Sequence, residues 1–123
     1  MAERVTQQIR PPRKVELNAE KNQVSLQYAD QSYQLSAELL RVYSPSAEVR
    51  GHGVGNEVLQ TGKMNVLITG IEPVGNYALK FIFSDRHDSG LYDWQYLRTL
   101  CEDQEILWNA YLAKLEAAGK SRT

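Results

Sequence analysis

The sequence predicts an α+β domain: a mainly antiparallel β-sheet, a short helix after the first hairpin and two helices at the C-terminus. Three observations carry that prediction. Apolar residues alternate at period two between Val15 and Leu35, broken by short polar turns, as in an antiparallel meander with one wet face. Tyr77, Leu79, Phe81 and Phe83 alternate strictly, which predicts a strand with those four toward the core. Beyond Asp93 the spacing lengthens to three and four residues, the helical period.

Each element follows in order. Met1 to Pro12 is polar and ends in Pro11-Pro12; with little to bury, residues 1–12 are expected to form a disordered arm. Val15 and Leu17, then Val24, Leu26 and Tyr28, then Tyr33 and Leu35 mark the meander. Ser36 is placed to cap a helix over Ala37 to Val42, with Glu38 at its positive end. Pro45 suits the exit, since a residue before proline avoids helical angles. Ser44 to Gly62 reads as a loop. Its glycines at 51, 53 and 55 match neither GxGxxG nor a phosphate loop, because no GK[ST] follows.

Met64 to Ile71 reads as a strand, Pro73 to Asn76 as the reversal, and Gly75-Asn76 as its turn pair. Ser84 to Gly90 is a polar, turn-forming loop. Leu91 and Tyr92 rejoin the sheet, and Asp93 caps a helix over Trp94 to Cys101 with Trp94, Leu97 and Leu100 on one face. A second helix spans Asp103 to Ala118, with Trp108, Tyr111, Leu112 and Leu115 on its apolar stripe and Gly119 as its stop. Residues 13–119 thus form one domain, and 120–123 a tail.

Composition narrows function. With 123 residues, 42 % hydrophobic and 24 % charged, the chain suits a single folded domain. A net charge of -1 argues against a nucleic-acid partner. Basic clusters at Arg10 to Lys14 and Lys120 to Arg122 read as solvated ends. Cys101 is the one cysteine, so neither an internal disulfide nor a thiolate zinc site is available. It falls inside a helix, where it is expected to be buried and inert. The N-terminal stretch lacks an apolar core of signal-peptide length, and no apolar run nears the roughly 20 residues a membrane span needs. A cytoplasmic, membrane-free protein is expected.

The chemistry-bearing residues are few. His52 and His87 are the two histidines. Neither begins an H-x-[DE] pair, so the usual signature of a two-histidine, one-carboxylate iron site is missing. A looser metal site from His52 and His87 with Asp85 or Asp88 stays open, zinc or iron being the metal it would take; otherwise no cofactor is expected. Ser89 has no G-x-S-x-G elbow. No catalytic constellation has the required spacing.

Three stretches, LRVYSPSAEVRGHG, IEPVGNYAL and SDRHDSGLYDWQYL, resemble the gamma-butyrobetaine hydroxylase-like N-terminal domain family, whose small stand-alone bacterial members are of unknown function. The resemblance covers Lys14 to Leu100. It implies a small β-sheet domain with helices. In the eukaryotic hydroxylases this domain precedes an iron- and 2-oxoglutarate-dependent catalytic domain, for which this chain has no room. There it carries a structural zinc on a C-P-C-x-x-C motif and a later histidine. Those cysteine positions fall here on Ser44, Ser46 and Val49, with Pro45 matching the proline, and the histidine falls on His87. All three thiolates are gone, so no metal is expected.

The family is also found joined to iron–sulfur carrier ATPases, which implies an accessory role near metal-cofactor assembly. The leading expectation is a non-enzymatic module that docks on a protein partner through Arg50, Gly51 and His52 together with Asp85, His87 and Tyr92, with Tyr92 as an exposed aromatic anchor. The alternative is a metal-binding or metal-delivery protein using His52 and His87.

Overall fold

The computed structural model describes residues 10–51 and 57–123. Among the described residues there are two three-stranded antiparallel sheets and four helices. Strands β1 (Lys14–Leu17), β2 (Gln23–Gln27) and β3 (Ser32–Ser36) form the first sheet as a meander. Val24 pairs with Leu17 and Leu35. Helix α1 (Ala37–Val42) follows directly, its first turn closed by the Ser36 hydroxyl, which accepts from the Leu39 amide at 3.0 Å. A single helical turn, α2 (Ala47–Arg50), comes next.

The second sheet contains β4 (Ile68–Val74), β5 (Ala78–Phe83) and β6 (Leu91–Asp93) in that order. Helices α3 (Trp94–Glu102) and α4 (Gln104–Ala118) complete the chain. Asp93 caps α3 by accepting from the Tyr96 amide at 2.8 Å. Gly119 ends α4 at φ 65°, the left-handed conformation in which a side chain would be strained.

One core joins the sheets. Val24, Leu26 and Leu35 from the first, Leu40 from α1, Phe81, Phe83 and Tyr92 from the second, and Leu97 and Leu100 from α3 are buried together. Removal of each such side chain from water contributes about 1.5–3 kcal/mol. Tyr111 and Leu115 of α4 pack with Val42 in a smaller cluster.

Several expectations change. The alternation is split between two sheets rather than one. The strand expected from Met64 begins at Ile68 and includes Pro73. An edge strand tolerates proline because its missing N–H faces no neighbour. Tyr77 therefore falls in the turn and is 52 % exposed, outside the core expected for it. Within the presumed loop after Pro45, Ser46 to Gly51 makes the α2 turn. Leu112 and Trp94 lie at the margins of their stripes, neither fully buried.

The C-terminal residues differ most. Lys120 to Thr123 has no regular structure and its residues other than Arg122 are exposed, yet it is tied to the domain. The Gly62 and Met64 amides donate to the Ser121 and Arg122 carbonyls at 3.1 and 3.0 Å. Arg122 grips buried Glu38 with two bonds of 2.9 and 2.7 Å and lies 5.0 Å from the centre of the Trp108 ring. A buried carboxylate needs such a partner. Residues 1–9, most of the expected arm, lie outside the described residues.

Candidate functional site

Three elements converge on His87. Ser44 follows α1, Ser46 precedes α2 as its N-cap residue and Val49 lies within it, and His87 sits between β5 and β6. Ser44, Ser46, Val49 and His87 are all buried. Ser46 and Val49 stand three apart on one side of the helical turn, while Ala47 and Glu48 are exposed. His87 Nε2 lies 2.8 Å from Ser44 Oγ and 3.3 Å from Ser46 Oγ. Its Nδ1 is 3.1 Å from Glu48 Oε1. A carboxylate accepts, so this contact places the imidazole proton on Nδ1 and leaves the single Nε2 lone pair to accept from the nearer hydroxyl, that of Ser44.

Carboxylate, imidazole and hydroxyl are ordered as in a nucleophilic triad. Ser44 is closed to solvent and packed against Gly90. It is 1 % exposed, and a Cβ on Gly90 would lie 2.3 Å from its Oγ. The cluster instead holds the Ser44, α2 and His87 segments together, and Gly90 is required because only a missing side chain admits Ser44.

The zinc implied by the family resemblance does not fit this donor set. Two neutral hydroxyls, a valine and one imidazole lack the thiolates that closed zinc sites use. Among the described residues no three His, Cys, Asp or Glu side chains gather to hold a metal. His52 and the proposed His52–His87 pairing lie outside the described residues.

Burial lowers the His87 pKa from its ordinary value, and the Arg41 charge adds to that. The Glu48 and Asp85 carboxylates oppose both without reversing the direction. The folded state therefore binds this proton less readily than the unfolded chain. The stabilising contribution is complete above the unfolded value of about 6.5 and is lost as pH falls through the lower folded value. Urea unfolding of the wild type is thus expected to show a fall in stability below about pH 6.5 that His87→Gln flattens. Identical pH slopes for the two proteins would refute the assignment.

Asp85 serves structure. Its Oδ2 takes Arg41 Nε at 2.9 Å and Lys63 Nζ at 2.6 Å. Burial pushes its pKa up, but the Lys63 hydrogen bond and the Arg41 charge outweigh it and hold the carboxyl below its usual range. Tyr92 cannot anchor a partner from the surface: it is fully buried, donates its hydroxyl to the Leu40 carbonyl and meets Phe81 edge-on at 4.9 Å. Its period-two register with Gly90 turns it inward against β5. Cys101 is buried and its thiol is pushed up to about 11 by burial.

Arg50 and Gly51 do border an open feature. A cleft of about 660 Å³ runs between α2, the 57–60 segment and α4, with Val42, Val49, Val58, Leu59 and Tyr111 among its walls. The Arg50 guanidinium lies 5.0 Å from the centre of the Tyr96 ring on its border. Sequence reasoning singles out Arg50 and Gly51 but misses the opposite wall. Val58 is held there by its amide, which donates to the Val49 carbonyl at 2.7 Å, and Tyr111 and Lys114 by the packing of α4; the α4 stripe marks Tyr111 as apolar, but no local pattern marks Val58, Leu59 or Lys114. No helix among the described residues is long and apolar enough to cross a membrane.

Fold and site together define a small α+β domain whose histidine centre is a hydrogen-bonded joint beside an apolar cleft. The chain belongs to the family described as gamma-butyrobetaine hydroxylase-like, N-terminal, which matches residues 15–98. Two solution NMR structures are similar to it. One is 52 % identical with a TM-score of 0.83, over 94 % of this chain and 91 % of that one. The other is 48 % identical with a TM-score of 0.80, over 95 % and 88 %. A crystal structure from Acidithiobacillus ferrooxidans, of a protein of unknown function in the DUF971 family, is 33 % identical with a TM-score of 0.59, over 72 % and 90 %. No curated protein matches the chain.

Proposed function

We propose that this protein is a non-enzymatic, cytoplasmic accessory module that docks on a protein partner through the cleft beside Arg50 and Gly51. The observation that carries this reading is the division of the site. The groups that could do chemistry, Ser44, His87 and Asp85, are tied up in internal contacts. The adjoining cleft is lined by apolar side chains, of which Val58 is 52 % exposed. An open apolar cleft bordered by an arginine is the composition favoured at interface hot spots. The family's association with iron–sulfur carrier ATPases supports a place for that partner in metal-cofactor assembly.

Val58→Asp tests the reading, because it puts a charge on an exposed wall and should leave the melting temperature near that of the wild type. Affinity capture at native expression level is expected to lose its principal partner with Val58→Asp and to weaken it with Arg50→Ala. Recovery of the same proteins in the same amounts by all three chains would overturn the docking function.

A further inference from the structure

The hydrogen-bond arrangement around the cleft specifies what it accepts. Among the described residues, its neutral polar side chains already bond within the protein. Tyr96 and Tyr111 donate their hydroxyls to the Tyr43 and Gln60 carbonyls at 2.6 and 2.8 Å, and Tyr43 donates to the Leu107 carbonyl at 2.7 Å. Gln60 donates to the Val58 carbonyl and accepts from Arg41. Ser44 is held by His87. The tyrosine hydroxyl protons are thus committed, and what these groups keep free is mostly acceptor capacity.

The charged residues are different. Lys114 is exposed on one side of the cleft. Arg50 carries five N–H donors, more than its stacking on Tyr96 can occupy. Glu57 is the one carboxylate on the lining and is itself engaged in an interaction. Among the described lining residues, two cations stand against one carboxylate, an excess of positive charge on a chain of net charge -1. The volume falls within the range of about 300–1,000 Å³ suited to a compact apolar body. The apolar wall continues onto open surface at Val58, which suits a segment that extends beyond the cleft.

Resting on the docking reading above, we infer that the occupant is a partner's peptide segment carrying an apolar side chain next to a carboxylate. The side chain enters between Val49, Val58 and Tyr111, and the carboxylate is taken by Arg50 and Lys114. Charge pairs of this kind select partner and register more than they add raw affinity.

The test uses an acetylated hexapeptide ending in Leu-Phe with a free terminal carboxylate, its C-terminal amide, and octanoate, each titrated into the ¹⁵N-labelled full chain. The free acid is expected to give saturable amide shifts centred on Val49, Gly51, Leu59 and Tyr111. The amide should bind about tenfold more weakly, and Arg50→Ala and Lys114→Ala should each weaken the free acid by about fivefold or more. Equal binding of acid and amide, shifts centred elsewhere, or no saturable shift would overturn the inference. So would octanoate binding as tightly as the peptide, which would assign the cleft to a free carboxylate instead. Loss of these peptide effects while Val58→Asp still releases the captured partner would sink the occupant's chemistry alone. Loss of both would remove the docking function as well.

Discussion

Replacing Ser44, Ser46 and Val49 together by cysteine is expected to convert the His87 joint into a zinc site holding one ion per chain. Tetrahedral zinc with Zn–S of about 2.3 Å and Zn–N of about 2.0–2.1 Å sets ligand sulfur and nitrogen about 3.5 Å apart. The Ser44 and Ser46 hydroxyls already stand 2.8 and 3.3 Å from Nε2, so the longer Cβ–Sγ bond needs little backbone movement. Val49 is buried on the same side of the α2 turn as Ser46. Glu48 at 3.1 Å from Nδ1 is the carboxylate partner that zinc-bound imidazoles usually have, fixing the ring with Nε2 toward the metal. At a free zinc concentration 1,000 times the dissociation constant the folded state gains about 4.1 kcal/mol. For a domain of this size that is a rise in melting temperature of more than about ten degrees.

Metal analysis after dialysis, paired with thermal melts, checks the expectation. The triple variant should hold zinc and melt higher with it. The wild type should do neither, and adding His87→Ala to the triple variant should abolish both. A triple variant that retains no zinc, or retains it without His87, would mean that the three segments do not converge as described.

Tyr92→Ala is expected to cost about 3–5 kcal/mol, a large share of the roughly 5–15 kcal/mol that holds a domain together. The ring is fully buried between sheet and helix, and its truncation leaves a cavity against Phe81. Tyr92→Phe keeps the packing and removes only the hydroxyl that satisfies the Leu40 carbonyl, a loss of about 1–3 kcal/mol. Urea unfolding of both variants measures the difference. The pair also separates a core residue from an interface residue. Tyr92→Phe should be destabilised yet capture the same partner, whereas an interface tyrosine would lose the partner with its stability intact. Equal stability of Tyr92→Phe and the wild type would contradict the buried hydrogen bond.

Much of this fold could be read in advance. Ser36 and Asp93 cap the helices expected of them, Gly119 ends α4, and Leu79, Phe81 and Phe83 lie in the core. These are local effects. A cap, a glycine stop and a period-two pattern each act within a few residues, so the residues themselves carry the signal. The candidate site was legible only in part. The positions of Ser44, Ser46, Val49 and His87 were known from the family motif, and all four are buried at the junction of α1, α2 and the β5–β6 loop. Tyr92 was expected at the surface because Leu91-Tyr92 gives no sign of which of two neighbours points inward. Pairing of Leu79 with Tyr92 across β5 and β6 settles that.

Sequence alone carried the α+β class, the family, the caps and the absence of thiolates at the three motif positions, because each is a property of residue identity or of short-range spacing. Tertiary structure decided that the strands divide into two sheets, that Arg122 returns to neutralise Glu38, and that Lys114 on α4 lines the same cleft as Arg50. Those outcomes join residues 84 and 64 positions apart in the chain. They depend on which buried charge needs a partner and which apolar faces meet, and no window of sequence contains both halves of either contact.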